Sequence, residues 1–321
     1  HLKSLEACWR DGAGLSGYNP YFMAGYPSNT IQDLSVKFFE FAALGLSTIA
    51  LAPVQWFKIA AFLAMASVPG LMFYAGRNFF HNHESRDLIA LGAALLAALY
   101  WWNSLPREMF FYGMIGFPVA AYFSVWGVSL FYRLVMESPK PGLLHVGWLL
   151  FAAVILPLHF QSLVIFMPSM IALLIVQPRR MTGRLFFWLV AALAICALVN
   201  FTWLITAFNH RQDDVSSAIV AQLPLFASSD PLTFLIDYLG ARGYWTFRPS
   251  FVEKGFRLML LILGVFGTID LIKKGNRPVG IALTAGLSVL FLLTYFGAFI
   301  PGLAAWQPLR FKVPFDLFLV I

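Results

Sequence analysis

A chain of 321 residues that is 60% hydrophobic, 17% aromatic and only 12% charged, with a mean hydropathy of +0.76, is far more apolar than a soluble domain at about 45–50%. Its net charge of +7 does not point to nucleic acid, because the basic residues cluster in short loops between apolar stretches rather than along one stripe. Cys8 lies in a polar loop and Cys196 in mid-stretch, so the two give neither a disulfide framework nor metal-ligand spacing.

Residues 1–33 are polar and turn-rich, with Gly12, Gly14, Gly17, Pro20, Gly25 and Pro27. The stretch 34–50 is apolar but carries Lys37 and Glu40. Leu34, Phe38, Phe41 and Leu44 recur at helical spacing there, which predicts a helix lying in the membrane interface. Spans of about 20 apolar residues are predicted at 54–76, 88–103, 109–135, 143–159, 161–177, 185–208, 256–272 and 279–300, with a ninth opening near 313. The expected fold is therefore all-α, a polytopic integral membrane protein with one transmembrane domain over 1–321. Two long extracytoplasmic loops are expected, 1–52 and 209–254. A chain opening at His1 and ending in the apolar run 313–321 reads as a fragment whose flanking spans lie outside it.

Orientation follows from Lys and Arg. Arg77, Arg86, Arg133, Lys140, Arg179, Arg180, Arg184, Lys273, Lys274 and Arg277 fall in one set of loops, while the short loops of the other set hold Arg107, Arg310 and Lys312. Ten against three places the first set in the cytoplasm. The acids gather on the other side, which marks an extracytoplasmic working face. Loops 1–52 and 209–254 both fall there only if 34–50 does not span.

Few motifs carry chemistry. Asp11 and Asp33 flank a compact Gly-, Pro- and Tyr-rich segment, where paired carboxylates suit proton abstraction from an acceptor hydroxyl or a divalent metal ion. The plain alternative for Asp33 is an N-cap on the helix that follows. Gly12, Gly14 and Gly17 spell GxGxxG without a strand before it, so a dinucleotide site is discarded. Arg107 sits at a helix start in NSLPRE, suited to a lipid phosphate, with Glu108 favouring the helix dipole. His159 stands at a tight turn beside Gln161, as an acid–base group, a phosphate partner or merely a solvated ring. His210, Asp213 and Asp214 read equally as metal ligands or as a solvated helix start. Tyr238, Tyr244, Trp245, Phe247 and Phe251 form an aromatic belt or a sugar-stacking surface. In the last loop, Trp306, Gln307 and Arg310 precede Asp316. An acid inside a span is a functional candidate by default, its plain alternative a local ion pair with Lys312.

Four pieces together carry a resemblance: NPYFMAGYP with QDLS in the first loop, LPREMFFYGMIGF at 105–117, LPLHF at 156–160 and WQPLRF at 306–311. Their order resembles the bacterial and archaeal membrane proteins grouped near the GT-C glycosyltransferases. That resemblance implies a GT-C-like helical bundle in the plasma membrane that transfers a sugar from a polyprenyl-phosphate donor on the extracytoplasmic face. It makes Asp11 and Asp33 the candidate catalytic acids and Arg107, His159, Trp306, Gln307 and Arg310 the candidate substrate-binding residues. Membrane lipid and the lipid-linked sugar are the expected partners, with a divalent metal ion left open. The rival functions are a transporter or flippase for a lipid-linked or anionic substrate, and a non-catalytic membrane assembly protein.

Overall fold

The computed structural model describes residues 37–111, 114–137, 140–209, 230–239, 251–274, 276–304 and 306–321, with short pieces at 6–7, 10, 16–19, 26–29 and 228. Among these residues the structure is helical except for one antiparallel hairpin, Ser16–Asn19 (β1) with Tyr26–Asn29 (β2), where Ser16 faces Asn29. The helical class is as expected; the hairpin is not, because its four-residue strands are too short to show an alternation against the turn residues around them.

The helices are α1 (Lys37–Ser47), α2 (Pro53–Phe79), α3 (Arg86–Asn103), α4 (Leu105–Phe111), α5 (Gly116–Glu137), α6 (Leu143–Leu158) and α7 (Ser162–Val176). Then follow α8 (Gly183–Asn209), α9 (Thr233–Tyr238), α10 (Phe251–Lys274), α11 (Arg277–Phe296) and α12 (Lys312–Val320), with single helical turns at Pro178–Arg180, Gly297–Phe299, Pro301–Ala304 and Pro308–Phe311. Five of them, α2, α5, α8, α10 and α11, are long and apolar enough to cross a membrane. By contrast, α6 and α7 have 16 and 15 residues, about 23 Å at 1.5 Å per residue and short of a hydrocarbon core of about 30 Å.

The predicted span 109–135 is broken into α4 and α5. Pro118 has no N–H to continue a helix arriving from Met114, but it fits the first turn of a new one. Helix α5 is the hub, packing on α2, α6, α7 and α12. Its apolar stretch is 78% buried, against 17% for α8 and 11% for α10. The two peripheral helices expose residues such as Leu193 and Phe266, a surface that suits lipid and not water. Close packing comes from small residues, as in membrane bundles. Ala90, Ala93 and Ala97 of α3 are buried, and a Cβ added at Gly76 of α2 would stand 2.8 Å from the Ala90 Cα.

Helix α1 has 11 residues, about 16 Å, too short to span. Its buried face is not the expected one. Lys37, Phe39, Glu40, Ala43 and Leu44 turn inward while Phe38 and Phe41 are half-buried. The charges tolerate this because Lys37 Nζ meets Glu40 Oε2 at 2.8 Å, one turn along.

Candidate functional site

Five helices, α3, α9, α10, α11 and α12, converge where α3 ends and α12 begins. Arg257 lies near the start of α10, Asp316 one turn into α12, and Asp237 on the short α9. Arg257 Nε donates to Asp316 Oδ2 at 2.8 Å, while Nη1 and Nη2 fork onto the two Asp237 oxygens at 3.2 and 3.1 Å. Lys312 Nζ donates to Asp237 Oδ1. Tyrosines complete the shell: Tyr100 and Tyr238 donate to Asp316 at 3.1 and 2.6 Å, and Tyr295 to Asp237 at 2.8 Å. The Arg257 guanidinium also lies 4.5 Å above the Tyr238 ring. All four charged residues are buried, Asp316 completely.

Two carboxylates face two cations, so the cluster is neutral, and both carboxylates accept several hydrogen bonds. That is the arrangement in which buried charges are tolerated. Burial alone would raise the Asp237 carboxyl, but Arg257 and Lys312 outweigh it and hold the group below the usual carboxylate range. The network ties α3, α9, α10, α11 and α12 together. It also rules out the plain alternative of a local pair between Lys312 and Asp316: Lys312 is committed to Asp237 and Asp316 to Arg257. Buried at the same depth, Arg257 reaches Asp316 through Nε while its Nη1 and Nη2 fork onto Asp237, so one guanidinium bridges both acids.

Next to this network lies the turn Pro308–Phe311, which carries Arg310 on the residue pair adjoining Lys312. Gln307 precedes it with φ 56°, in the left-handed region, and so reverses the chain sharply. Opposite stands the α6–α7 turn. Gln161 Nε2 donates to the Trp306 carbonyl at 3.1 Å, linking the two turns. The His159 ring is buried between Phe117, 4.9 Å away edge-on, and Phe160, stacked at 5.5 Å. Phe117 in turn meets Phe311 at 5.7 Å.

His159 is therefore not a solvated turn residue. Its Nδ1 accepts the Gln161 backbone N–H at 3.2 Å, which leaves the ring proton on Nε2. Burial first, and then the charge of Arg310, lower the ring from its ordinary 6.5 to about 3. At neutral pH it is an uncharged donor, unsuited to carry a proton as a general acid. Two buried side-chain oxygens, Gln161 Oε1 and Gln307 Oε1, lack a hydrogen-bond partner among the described residues. Buried acceptors of this kind call for a donor.

Of the expected substrate-binding residues, His159, Trp306, Gln307 and Arg310 are thus brought together. Arg107 is not: it is exposed on α4, and no contact among the described residues ties it to this cluster. The candidate acids Asp11 and Asp33 lie outside the described residues, as do His210, Asp213, Asp214, Tyr244, Trp245 and Phe247. Among the described residues no three His, Cys, Asp or Glu side chains are placed to share a metal ion. Tyr238 belongs to the charge network, not to a solvent-facing belt. Arg257 and Tyr100 were not singled out from the sequence. An arginine inside the predicted span 256–272 was the available signal, since such a charge needs a buried partner.

Compared with known proteins, the chain matches no family model, no curated protein and no solved structure.

Proposed function

We propose that this protein is a membrane glycosyltransferase of GT-C-like fold, taking its sugar from a polyprenyl-phosphate donor at the extracytoplasmic face. The observation that carries this reading is the meeting of three of the four sequence pieces that resemble that group. Phe117 ends the first, His159 belongs to the second and Phe311 to the third, and their rings are in mutual contact through Phe117. The last of them is joined to the α6–α7 turn by the bond from Gln161 to the Trp306 carbonyl, 145 residues along the chain, so pieces far apart in sequence build one corner at the end of the helices.

The chemistry of that corner fits the donor. Arg310 offers a planar fork for the phosphate that leaves with its lipid tail, and a fixed cation there stabilises charge developing on the leaving oxygen. The His159 Nε2–H is a neutral donor, and the Gln161 and Gln307 oxygens suit sugar hydroxyls. An acid of the first loop, Asp11 before Asp33, would take the proton of the acceptor hydroxyl, which attacks the anomeric carbon with inversion as the phosphate departs. Transport has less support. Asn200, deep in α8, is satisfied by Trp203 and the Cys196 carbonyl, and Ser124 of α5 by the Ala120 carbonyl.

The test is transfer of radiolabelled sugar from a panel of polyprenyl-phosphate hexoses and pentoses, using membranes that contain the protein. Arg310→Ala should lower turnover about a hundredfold with expression intact, and Arg310→Lys should not restore it. No transfer from any donor, or full activity of Arg310→Ala, overturns the assignment.

A further inference from the structure

At the other end of the helices, where α2 and α5 finish and α3 and α11 begin, two cavities share a wall. The larger, of about 580 Å³, is walled mainly by apolar groups, with Phe79, Phe80, Met136 and Leu271 among them. The smaller, of about 410 Å³, is walled mainly by polar groups, including Arg77, Arg86 and Arg133. His81 and Asn82 line both. Each volume falls in the range of small-molecule sites, about 300–1,000 Å³.

The charges around the polar chamber do not balance. Glu137 accepts from Arg133 Nε and Nη2 at 3.1 and 2.5 Å, and its other oxygen lies 2.9 Å from His81 Nε2. Asp87 takes Arg77 Nε at 2.8 Å, with Arg86 Nε more distant at 3.8 Å. Around the polar chamber two carboxylates, Glu137 and Asp87, therefore stand against three guanidiniums, each with five N–H donors of which these contacts occupy few, while a third carboxylate, Asp270, lines the apolar chamber. His81 stands between two oxygens at the edge of the chamber, its Nδ1 3.1 Å from the Asn78 carbonyl and its Nε2 facing Glu137.

An anion-seeking chamber adjoining an apolar one at His81 and Asn82 has the polarity of an amphiphile. We propose that the two adjoining cavities bind a phosphate ester of a lipid, its phosphate among Arg77, Arg86 and Arg133 and its apolar part against Phe79, Phe80 and Met136. Forked guanidiniums match phosphate oxygens. Neither Arg310 nor His159 takes part, so this site stands or falls separately from the proposed transferase.

Native mass spectrometry of the full chain in detergent tests it, with dioleoylphosphatidic acid, dioleoylglycerol and inorganic phosphate as probes. Phosphatidic acid should be retained and dioleoylglycerol lost. Arg77→Gln with Arg86→Gln should weaken retention about tenfold, whereas Arg179→Gln with Arg180→Gln, the same charge change on an exposed loop, should not. If the first pair melts early, Asn82→Asp supplies the second reading, adding a negative charge at the shared wall without breaking an ion pair, and it too should weaken retention. Equal loss in the cavity and loop variants, unchanged retention in the variants at the cavity, or equal retention of dioleoylglycerol, overturns the proposal. Binding of inorganic phosphate as tight as that of the lipid, and dependent on Arg77 and Arg86, overturns the lipid assignment and makes the ligand a soluble phosphate.

Discussion

Lys312 donates to Asp237, 75 residues away in the chain, and leaves Asp316, one turn along its own helix, to Arg257. The crossed pairing makes the network a clasp between α9, α10 and α12 instead of a local ornament on one helix. Breaking a buried pair from one side strands a charge, which typically costs about 3–5 kcal/mol, while replacing both partners by apolar residues is close to neutral. Arg257→Met should therefore lower the melting temperature in detergent sharply, because it faces two carboxylates toward each other. Arg257→Met combined with Asp316→Leu should recover part of that loss. Strictly additive losses would mean that the residues are not coupled.

His159 gives the fold a pH dependence of known sign. In the unfolded chain its ring takes a proton near 6.5, whereas in the folded chain burial and Arg310 keep it neutral down to about 3. Between those values the unfolded state binds the extra proton, so stability falls as pH falls, by about 1.4 kcal/mol per unit from this residue. Melting in detergent should drop between pH 6.5 and 4.5. His159→Phe, which keeps an aromatic ring between Phe117 and Phe160, should flatten this part of the profile. An unchanged slope would show that His159 is not the titrating group.

The positions of most helices were legible in the sequence because lipid-facing segments must be long and apolar, but their number was not: the predicted span 109–135 is split in two, α9 was missed, and five of the nine expected spans are long and apolar enough to cross a membrane. What composition cannot show is which apolar helix lies at the hub. α5 is the least apolar of the five long helices yet nearly enclosed, while the more apolar α10 is nearly bare. The polar corner was partly legible: Trp306, Gln307, Arg310 and His159 stand out because polar residues at helix ends are scarce. Arg257 was hidden by its position near a predicted boundary, where a basic residue reads as an orientation signal. Its partners Asp237 and Asp316 lie 20 and 59 residues away, a separation that helical periodicity does not reach. Lys37 and Glu40 misled for a related reason, since two charges one turn apart cancel and can be buried as a unit.

The seat of α12 against α10 depends on Gly264. A Cβ at that position would come within 2.7 Å of both the Leu319 carbonyl oxygen and its Cβ, closer than packed atoms approach. Gly264→Ala should push the helices apart and strain the Arg257–Asp316 bond, lowering stability by about 1–3 kcal/mol as overpacking does. Gly267, one turn further along, has open space where its Cβ would stand. Gly267→Ala should be neutral or stabilising by up to about 1 kcal/mol, since alanine is the better helix former. Equal effects of the two in a melting experiment would remove the close approach as the cause.

The two ends of the helices are held by separate hydrogen-bond sets, which allows a direct test of orientation. At one end Tyr132 donates to Asn276 Oδ1 and Asn276 Nδ2 to the Phe79 carbonyl, both at 3.0 Å. At the other, Tyr100 reaches Asp316. The Lys and Arg excess belongs to the first end, and the positive-inside rule predicts that this end faces the cytoplasm. In a background with Cys8→Ser and Cys196→Ser, a membrane-impermeant maleimide applied to intact cells should label Asn103→Cys and Trp306→Cys. His83→Cys and Arg180→Cys should react only after permeabilisation. All four positions are exposed, so a missing signal is not a matter of burial. Labelling of 83 and 306 from the same side would break the alternation of spans, and with it the placement of the Arg310 corner on the outer face.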